Sequence, residues 1–312
     1  MDVVFFGSGA FGTPTLERLA REHTITGIVT QPDKPAGRKK FLTPTPIGSW
    51  AAEHLPGVPI AKPERINTDE ARGQIRGWNA DAWVIIAYGQ YLGQKLLEDR
   101  FAINLHGSLL PRWRGAAPIN AAMVAGDRVT GNSVITIAKE MDAGLILGQS
   151  ERGIEPDQTM GELHDLLAGD GPELVLRVLD DHAHDRVDYR EQDESLVTVA
   201  GKMTKGDGWV DFRGCARMIS AKVNGLSPWP GVTVSHRGEP LKINRSQPSE
   251  GESKEDPGTI IDADAGLVSC AGGGVLRLLD VQPPGKRSMG WRAYANGRQI
   301  GPGERLIGKT ED

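Results

Sequence analysis

Val3-Val4-Phe5-Phe6 is an unbroken apolar run closed by Gly7, and residues 82–87, Ala-Trp-Val-Ile-Ile-Ala, form a second run followed by Tyr88-Gly89. A strand that is apolar on both faces needs cover on both faces, as in a layered α/β sheet rather than a one-sided antiparallel one. Helical segments separate these strands. Thr13 is a suitable N-cap and Pro14 a suitable first helical residue, and helices are expected over 47–54, 68–78 and 116–124. Further strands are expected over 26–30, 58–60, 133–138 and 146–154. Strands alternating with helices predict a parallel sheet, so the first part of the chain belongs to the α/β class.

The chain has 312 residues, more than one domain usually holds. Polar residues with little periodicity separate an α/β part from a part with one helix, 215–223. The latter also has short strands over 232–235, 241–245, 259–262, 266–269 and 275–280. Such spacing favours a small β-barrel, with the OB-fold as the candidate. The expected division is 1–187 for the α/β domain, 188–205 for the linker and 206–312 for the barrel.

With 38% hydrophobic and 25% charged residues and no apolar run near the ~20 residues of a membrane span, this is an ordinary soluble composition. The N-terminal Met-Asp-Val-Val-Phe-Phe lacks the basic segment of a signal peptide, so a cytoplasmic protein is expected. Cys215 and Cys270 are isolated and read as inert core residues, with neither zinc spacing nor a disulfide framework. The net charge of −5 argues against a surface that coats nucleic acid everywhere. It is unevenly spread. Residues 1–203 carry 21 Lys and Arg against 28 Asp and Glu, net −7, and residues 204–312 carry 15 against 13, net +2.

Gly7-Ser8-Gly9-Ala10-Phe11-Gly12 formally matches the dinucleotide-binding fingerprint, and Asp33 follows Gly12 by 21 residues. Against a nicotinamide cofactor, the helix is expected to start after the third glycine rather than within the glycines. Asp33 also follows Pro32 in a stretch that reads as loop.

Residues 102–118 read Ala-Ile-Asn-Leu-His-Gly-Ser-Leu-Leu-Pro-Arg-Trp-Arg-Gly-Ala-Ala-Pro. Strand side chains alternate with period two, so Asn104 and His106 share one face while Ile103 and Leu105 share the other. Gly107 ends the strand, which places the polar pair near a carboxyl end, where ligand crevices of open α/β sheets lie. Asn104 offers an amide donor for a developing oxyanion, and histidine transfers protons near neutral pH. Two exposed-looking leucines, Leu109 and Leu110, follow in a loop. Asp142, in Met141-Asp142-Ala143-Gly144, adds a carboxylate on a glycine-ended loop of the same sheet. Thr159 with Glu162 forms a capping box before a long helix whose apolar stripe is Leu163, Leu166, Leu167, Leu174, Val178 and Leu179. Residues 181–185, Asp-His-Ala-His-Asp, read as a solvated helix end rather than a metal site, because helical residues two apart do not face each other.

Residues 31–46 hold four prolines and a glycine, which makes regular structure unexpected there. Lys34, Arg38, Lys39 and Lys40 concentrate positive charge beside Phe41, a combination suited to phosphate-backbone contact.

These motifs resemble those of the formyltransferases that use 10-formyltetrahydrofolate, and the chain is similar to that family over nearly its whole length. Asn104-Leu105-His106-Gly107-Ser108-Leu109-Leu110-Pro111 and the Asp142 loop are similar to the core that the family shares. Four longer segments resemble its tRNA-acting members. They are Thr30-Gln31-Pro32-Asp33-Lys34-Pro35-Ala36-Gly37-Arg38, Arg112-Trp113-Arg114-Gly115-Ala116-Ala117-Pro118, Lys202-Met203-Thr204-Lys205 and Ser227-Pro228-Trp229-Pro230. Ser8-Gly9 stands where members usually carry Thr-Pro, and Thr136 where glutamine is common.

The resemblance implies a Rossmann-like formyltransferase domain with a C-terminal OB-like β-barrel. It also implies transfer of a formyl group from 10-formyltetrahydrofolate, a co-substrate, to the α-amino group of methionine on charged initiator tRNA. Catalytic roles then fall to Asn104, His106 and Asp142, folate contact to Ser108, Leu109, Leu110 and Pro111, and tRNA contact to Lys34, Arg38, Lys39 and Lys40. No metal is required, and a monomer is expected. A sibling acting on a sugar nucleotide would share the core but need neither the basic loop nor the barrel. A non-catalytic RNA-binding module would leave the Asn-His pair unexplained.

Overall fold

A computed structural model describes residues 1–37 and 40–308. The chain sorts into two compact units. The first comprises Met1–Arg114, Gly131–Arg152 and His164–Val199, and the second Gly115–Thr130, Gly153–Leu163 and Ala200–Asp312. Residues 115–130 and 153–163, expected within the first domain, thus group with the C-terminal part.

The first unit is built on a seven-stranded sheet. Its order is Ile146–Gly153, Val129–Thr136, Phe101–His106, Ala82–Ile86, Asp2–Gly7, Thr24–Val29, Ile60–Ala61. The five strands from Phe101–His106 to Ile60–Ala61 are parallel. Val3, Val4, Phe5, Phe6, Trp83, Val84 and Ile86 have no exposed surface, as the unbroken apolar runs require. Side chains of this kind contribute about 1.5–3 kcal/mol each on full burial. Phe6 meets Trp83 with ring centroids 5.0 Å apart and Tyr88 edge-on at 5.8 Å. The helix Met160–Ala183 starts at the expected capping box: the Thr159 N–H donates to Glu162 Oε2 at 2.9 Å and the Glu162 N–H donates to Thr159 Oγ1 at 3.4 Å. The helix comes so close to the strand Phe101–His106 that a Cβ on Gly171 would lie 2.6 Å from Leu105 Cδ2.

Several expectations are corrected. Val129–Thr136 runs antiparallel to Phe101–His106, so the sheet is mixed. The helix between these two strands, Pro118–Val124, groups with the second unit, so the connection is not the sheet-covering crossover that parallel strands need. Residues 31–46 are not irregular throughout: Lys34–Ala36 and Phe41–Thr43 form an antiparallel hairpin. Gly37 and Lys40 supply positive φ values of 69° and 51° for its turn. Pro35 is tolerated because both strands of a two-stranded ribbon are edges. Thr13 is the first helical residue, and its cap is Gly12. Leu166 is 41% exposed and lies off the buried stripe. His182 is not simply solvated, since its ring stacks on Phe101.

The second unit carries an antiparallel sheet in the order Ile260–Asp262, Leu267–Ser269, Val275–Gln282, Glu239–Ser249, Val232–His236, Leu306–Ile307. Irregular register between Ile243 and Ser246 bends the long strand, as bulges do. The two ends of the sheet meet. The Ile260 N–H donates to Glu304 O, and the Gly303 N–H donates to Ile260 O, each at 2.8 Å, so the sheet curls round a core containing Val223, Val232, Ile243, Leu276 and Val281. A second helix, Trp291–Arg298, was not expected. It buries Trp291, Tyr294 and Ala295, one narrow stripe on an otherwise polar segment. Cys270 is buried, and burial pushes its thiol up to about 12, whereas Cys215 is exposed rather than a core residue.

Candidate active site

The inner strand Phe101–His106 places Ile103, Leu105 and His106 almost wholly out of solvent, while Asn104 is half-buried. The Asn104 amide makes no side-chain hydrogen bond among the described residues, so its N–H groups are available to a bound oxygen. The His106 ring is only 6% exposed and is held at both nitrogens. Nε2 lies 2.8 Å from the carbonyl oxygen of Trp113, and Nδ1 lies 3.5 Å from Asp142 Oδ2.

Asp142 does not reach this point from a neighbouring carboxyl end. The antiparallel strand Val129–Thr136 finishes beside Ile103, with Thr136 paired to it, while His106 pairs with Ser133. The loop that follows must fold back along the sheet to bring its carboxylate to His106. Gly144 makes that possible, because a Cβ there would lie 1.7 Å from Thr136 O. Asp142 itself has φ of 53°, a left-handed conformation uncommon outside glycine.

The turn after His106 is braced from inside. Ser133 Oγ accepts from the Leu110 N–H at 3.0 Å and donates to Ser108 O at 2.7 Å, and Gln149 Nε2 donates to both Leu110 O and Ser133 Oγ at 2.9 Å. Leu110 is 3% exposed and packs with Ile135 and Ile146, so it is a core residue rather than the exposed one expected. Leu109 is half-buried, and Ser108 is fully buried with its hydroxyl donating to Arg112 O. Ser133 and Gln149 gave little signal, each standing among other polar residues of its strand, VTGNSVIT and ILGQSERG. Gln192 had none: from the stretch expected to be a linker, its amide donates to Asp142 O and Gly144 O.

Of the basic residues, Lys34 and Lys40 are exposed on the hairpin, beside Phe41 and Leu42, which are 69% and 71% exposed. Arg38 and Lys39 lie outside the described residues. Among the described residues no group of three or more His, Cys, Asp or Glu is placed to hold a metal ion. No helix among them is long and apolar enough to cross a membrane.

In the glycine loop the Ser8 and Gly9 N–H groups both donate to Ala87 O, at 3.2 and 3.3 Å, and Asp33 is paired with Lys62 at 2.6 Å. The dinucleotide reading therefore finds two of its loop donors and its ribose acid already engaged.

A mixed α/β sheet whose inner strand Phe101–His106 carries an unengaged amide and a histidine, the histidine faced by a carboxylate from another loop, suits a group-transfer enzyme. Residues 1–179 match the formyl transferase profile and residues 202–299 that of the formyl transferase C-terminal domain. The chain belongs to the formyl transferase family. A relative from Methylococcus capsulatus named methionyl-tRNA formyltransferase is 40% identical over 309 residues, 98% of this chain and 99% of that protein. One of the same name from Methylobacillus flagellatus is 36% identical over 310 residues, again 98% and 99%. Among solved structures, HypX from Aquifex aeolicus in complex with tetrahydrofolic acid has a TM-score of 0.62 at 14% identity, covering 99% of this chain and 50% of that one. This chain spans about half the length of HypX, and at that identity the likeness is one of fold.

Proposed function

We propose that this chain transfers the formyl group of 10-formyltetrahydrofolate to the α-amino group of methionyl initiator tRNA, for translation initiation. The observation that carries the reading is the His106 ring held between Trp113 O and the Asp142 carboxylate, on the strand that presents the unengaged Asn104 amide. Relatives matched end to end carry that activity in their names.

The folate supplies the formyl carbon and departs as tetrahydrofolate. Asn104 donates to the formyl oxygen as the amine adds and negative charge builds there. His106, oriented by Asp142, moves the proton that the attacking nitrogen must lose and that N10 must gain, through an intervening water. Ser108, Leu109, Leu110 and Pro111 form the braced turn against which the folate lies, with Leu109 offering apolar contact and Leu110 backing it from the core. Lys34, Arg38, Lys39 and Lys40 contact the acceptor arm of the tRNA. Functionally, residues 1–187 are the catalytic domain, 188–205 the linker and 206–312 an OB-like barrel holding the rest of the tRNA, a reading supported by the meeting of the sheet's two ends. The enzyme works as a cytoplasmic monomer.

The test is formylation of charged initiator tRNA with 10-formyltetrahydrofolate, beside an amino-sugar nucleotide as the alternative acceptor. The reading requires turnover of the tRNA. Turnover of the sugar nucleotide alone would move the chain to a sibling activity.

A further inference from the structure

We propose that Gln192 is a positioning residue for this reaction, holding the Asp142 loop so that the carboxylate meets His106; the inference rests on the function proposed above. One side-chain amide bridges both sides of the loop's apex, with Nε2 donating to Asp142 O at 2.7 Å and to Gly144 O at 2.8 Å. The orientation of the amide is set from behind. Arg114 Nε donates to Gln192 Oε1 at 2.9 Å, which leaves the two N–H groups facing the carbonyls. Arg114 is itself anchored on Glu194, at 2.7 and 3.3 Å, and is 11% exposed. Its guanidinium holds the Glu194 carboxyl below the usual carboxylate range, so the anchor persists through neutral pH.

The loop needs such a hold. Asp142 sits at positive φ and Gly144 is pressed against Thr136 O, a conformation of the kind that persists only where surrounding structure over-determines it. The same segment also secures the other half of the pair. The Trp113 N–H donates to Thr198 Oγ1 at 2.8 Å and the Arg114 N–H donates to Thr198 O at 2.9 Å, fixing the residue whose carbonyl binds His106 Nε2. Gln192 acts on the acid and Thr198 on the histidine's carbonyl partner, both from residues that sequence reading leaves as a polar connection. Gln192 touches no reacting atom in this account and works through Asp142 alone.

The experiment measures formylation kinetics of Gln192→Ala and Gln192→Glu, each in the parent and in an Asp142→Ala background. Misplacement of a catalytic group by about 1 Å costs on the order of 10- to 100-fold, so kcat is expected to fall by that much in the parent background. The KM values for folate and tRNA should stay within about twofold, since neither binding surface is touched. Gln192→Glu keeps the shape but sets a carboxylate against two carbonyls, so it should fall at least as far. In the Asp142→Ala background neither change should cost anything further. An equal proportional loss in both backgrounds, a loss confined to KM, or an unchanged kcat in Gln192→Glu overturns the positioning role. An active parent with unaffected variants removes this inference only, whereas a parent that formylates nothing removes the function on which it rests.

Discussion

The carbonyl oxygen of Trp113 lies 2.8 Å from Nε2 of His106. A carbonyl only accepts, so this contact calls for a hydrogen on Nε2, and Nδ1 is the nitrogen that faces Asp142. The main chain thus fixes the orientation of the ring. Trp113 has φ of 64° to present that carbonyl, a conformation that costs about 1–2 kcal/mol for a residue with a Cβ.

Replacing Asn104 by Ala removes the oxyanion donor without opening the core, because the side chain is half-buried and makes no side-chain hydrogen bond among the described residues. Turnover should fall by roughly two to three orders of magnitude with little change in the KM values. Steady-state formylation kinetics check this, and an unchanged kcat would remove the oxyanion role.

Leu109 and Leu110 should behave differently despite their adjacency. Leu110→Ala empties a site packed against Ile135 and Ile146 and should cost about 2–5 kcal/mol of stability, read from urea unfolding. Leu109→Ala should leave the unfolding midpoint nearly in place and raise the folate KM instead. The reverse pattern would relocate the folate contact.

Glu304 gives the second unit an acid-sensitive anchor. The Arg237 guanidinium, with the Gly301 N–H and His236, holds its carboxyl down from 4.5 to about 2. A depressed folded-state value contributes stability in full above the unfolded value and loses it as pH falls through 4.5 toward about 2. Glu304→Gln should therefore be less stable than the parent at pH 7, with the gap narrowing as pH approaches 2. Urea midpoints of the two proteins across that range would settle the sign, and a gap that is constant with pH would contradict it.

Lys34 and Lys40 project from a hairpin whose apolar edge is exposed, and Arg38 and Lys39 lie between them in sequence. Replacing all four by Ala should raise the tRNA KM and flatten its dependence on salt, since each phosphate contact removed lowers the salt slope by about one. Folate KM should not move. A tRNA KM equal to the parent's at two salt concentrations would make the hairpin a solvated feature.

What could be read from the chain follows the range of the interactions involved. Val3–Phe6 announces a strand covered on both faces by local composition alone, and the Thr159 capping box is a signal four residues long. The alternation of Asn104 and His106 with Ile103 and Leu105 likewise puts two polar groups on one face of a strand. Strand direction is not local, and nothing in residues 129–136 says that they run against Phe101–His106. The bracing of the turn by Ser133 and Gln149 joins three separate segments, and the hold of Gln192 on the Asp142 loop crosses 50 positions of sequence. The Trp291–Arg298 helix buries only three side chains, too few to stand out among polar neighbours.

The claim on which the rest depends is that His106 and Asp142 act as one proton-transferring unit. The most direct measurement is the formylation kcat of His106→Ala, Asp142→Ala and the double variant against charged initiator tRNA. Groups that act as a unit are strongly non-additive, so each single change should remove most of the activity and the double should be little worse than the more damaging single. Losses that multiply in full would mean that Asp142 works independently of His106, and the 3.5 Å approach of the two would then have no part in the chemistry.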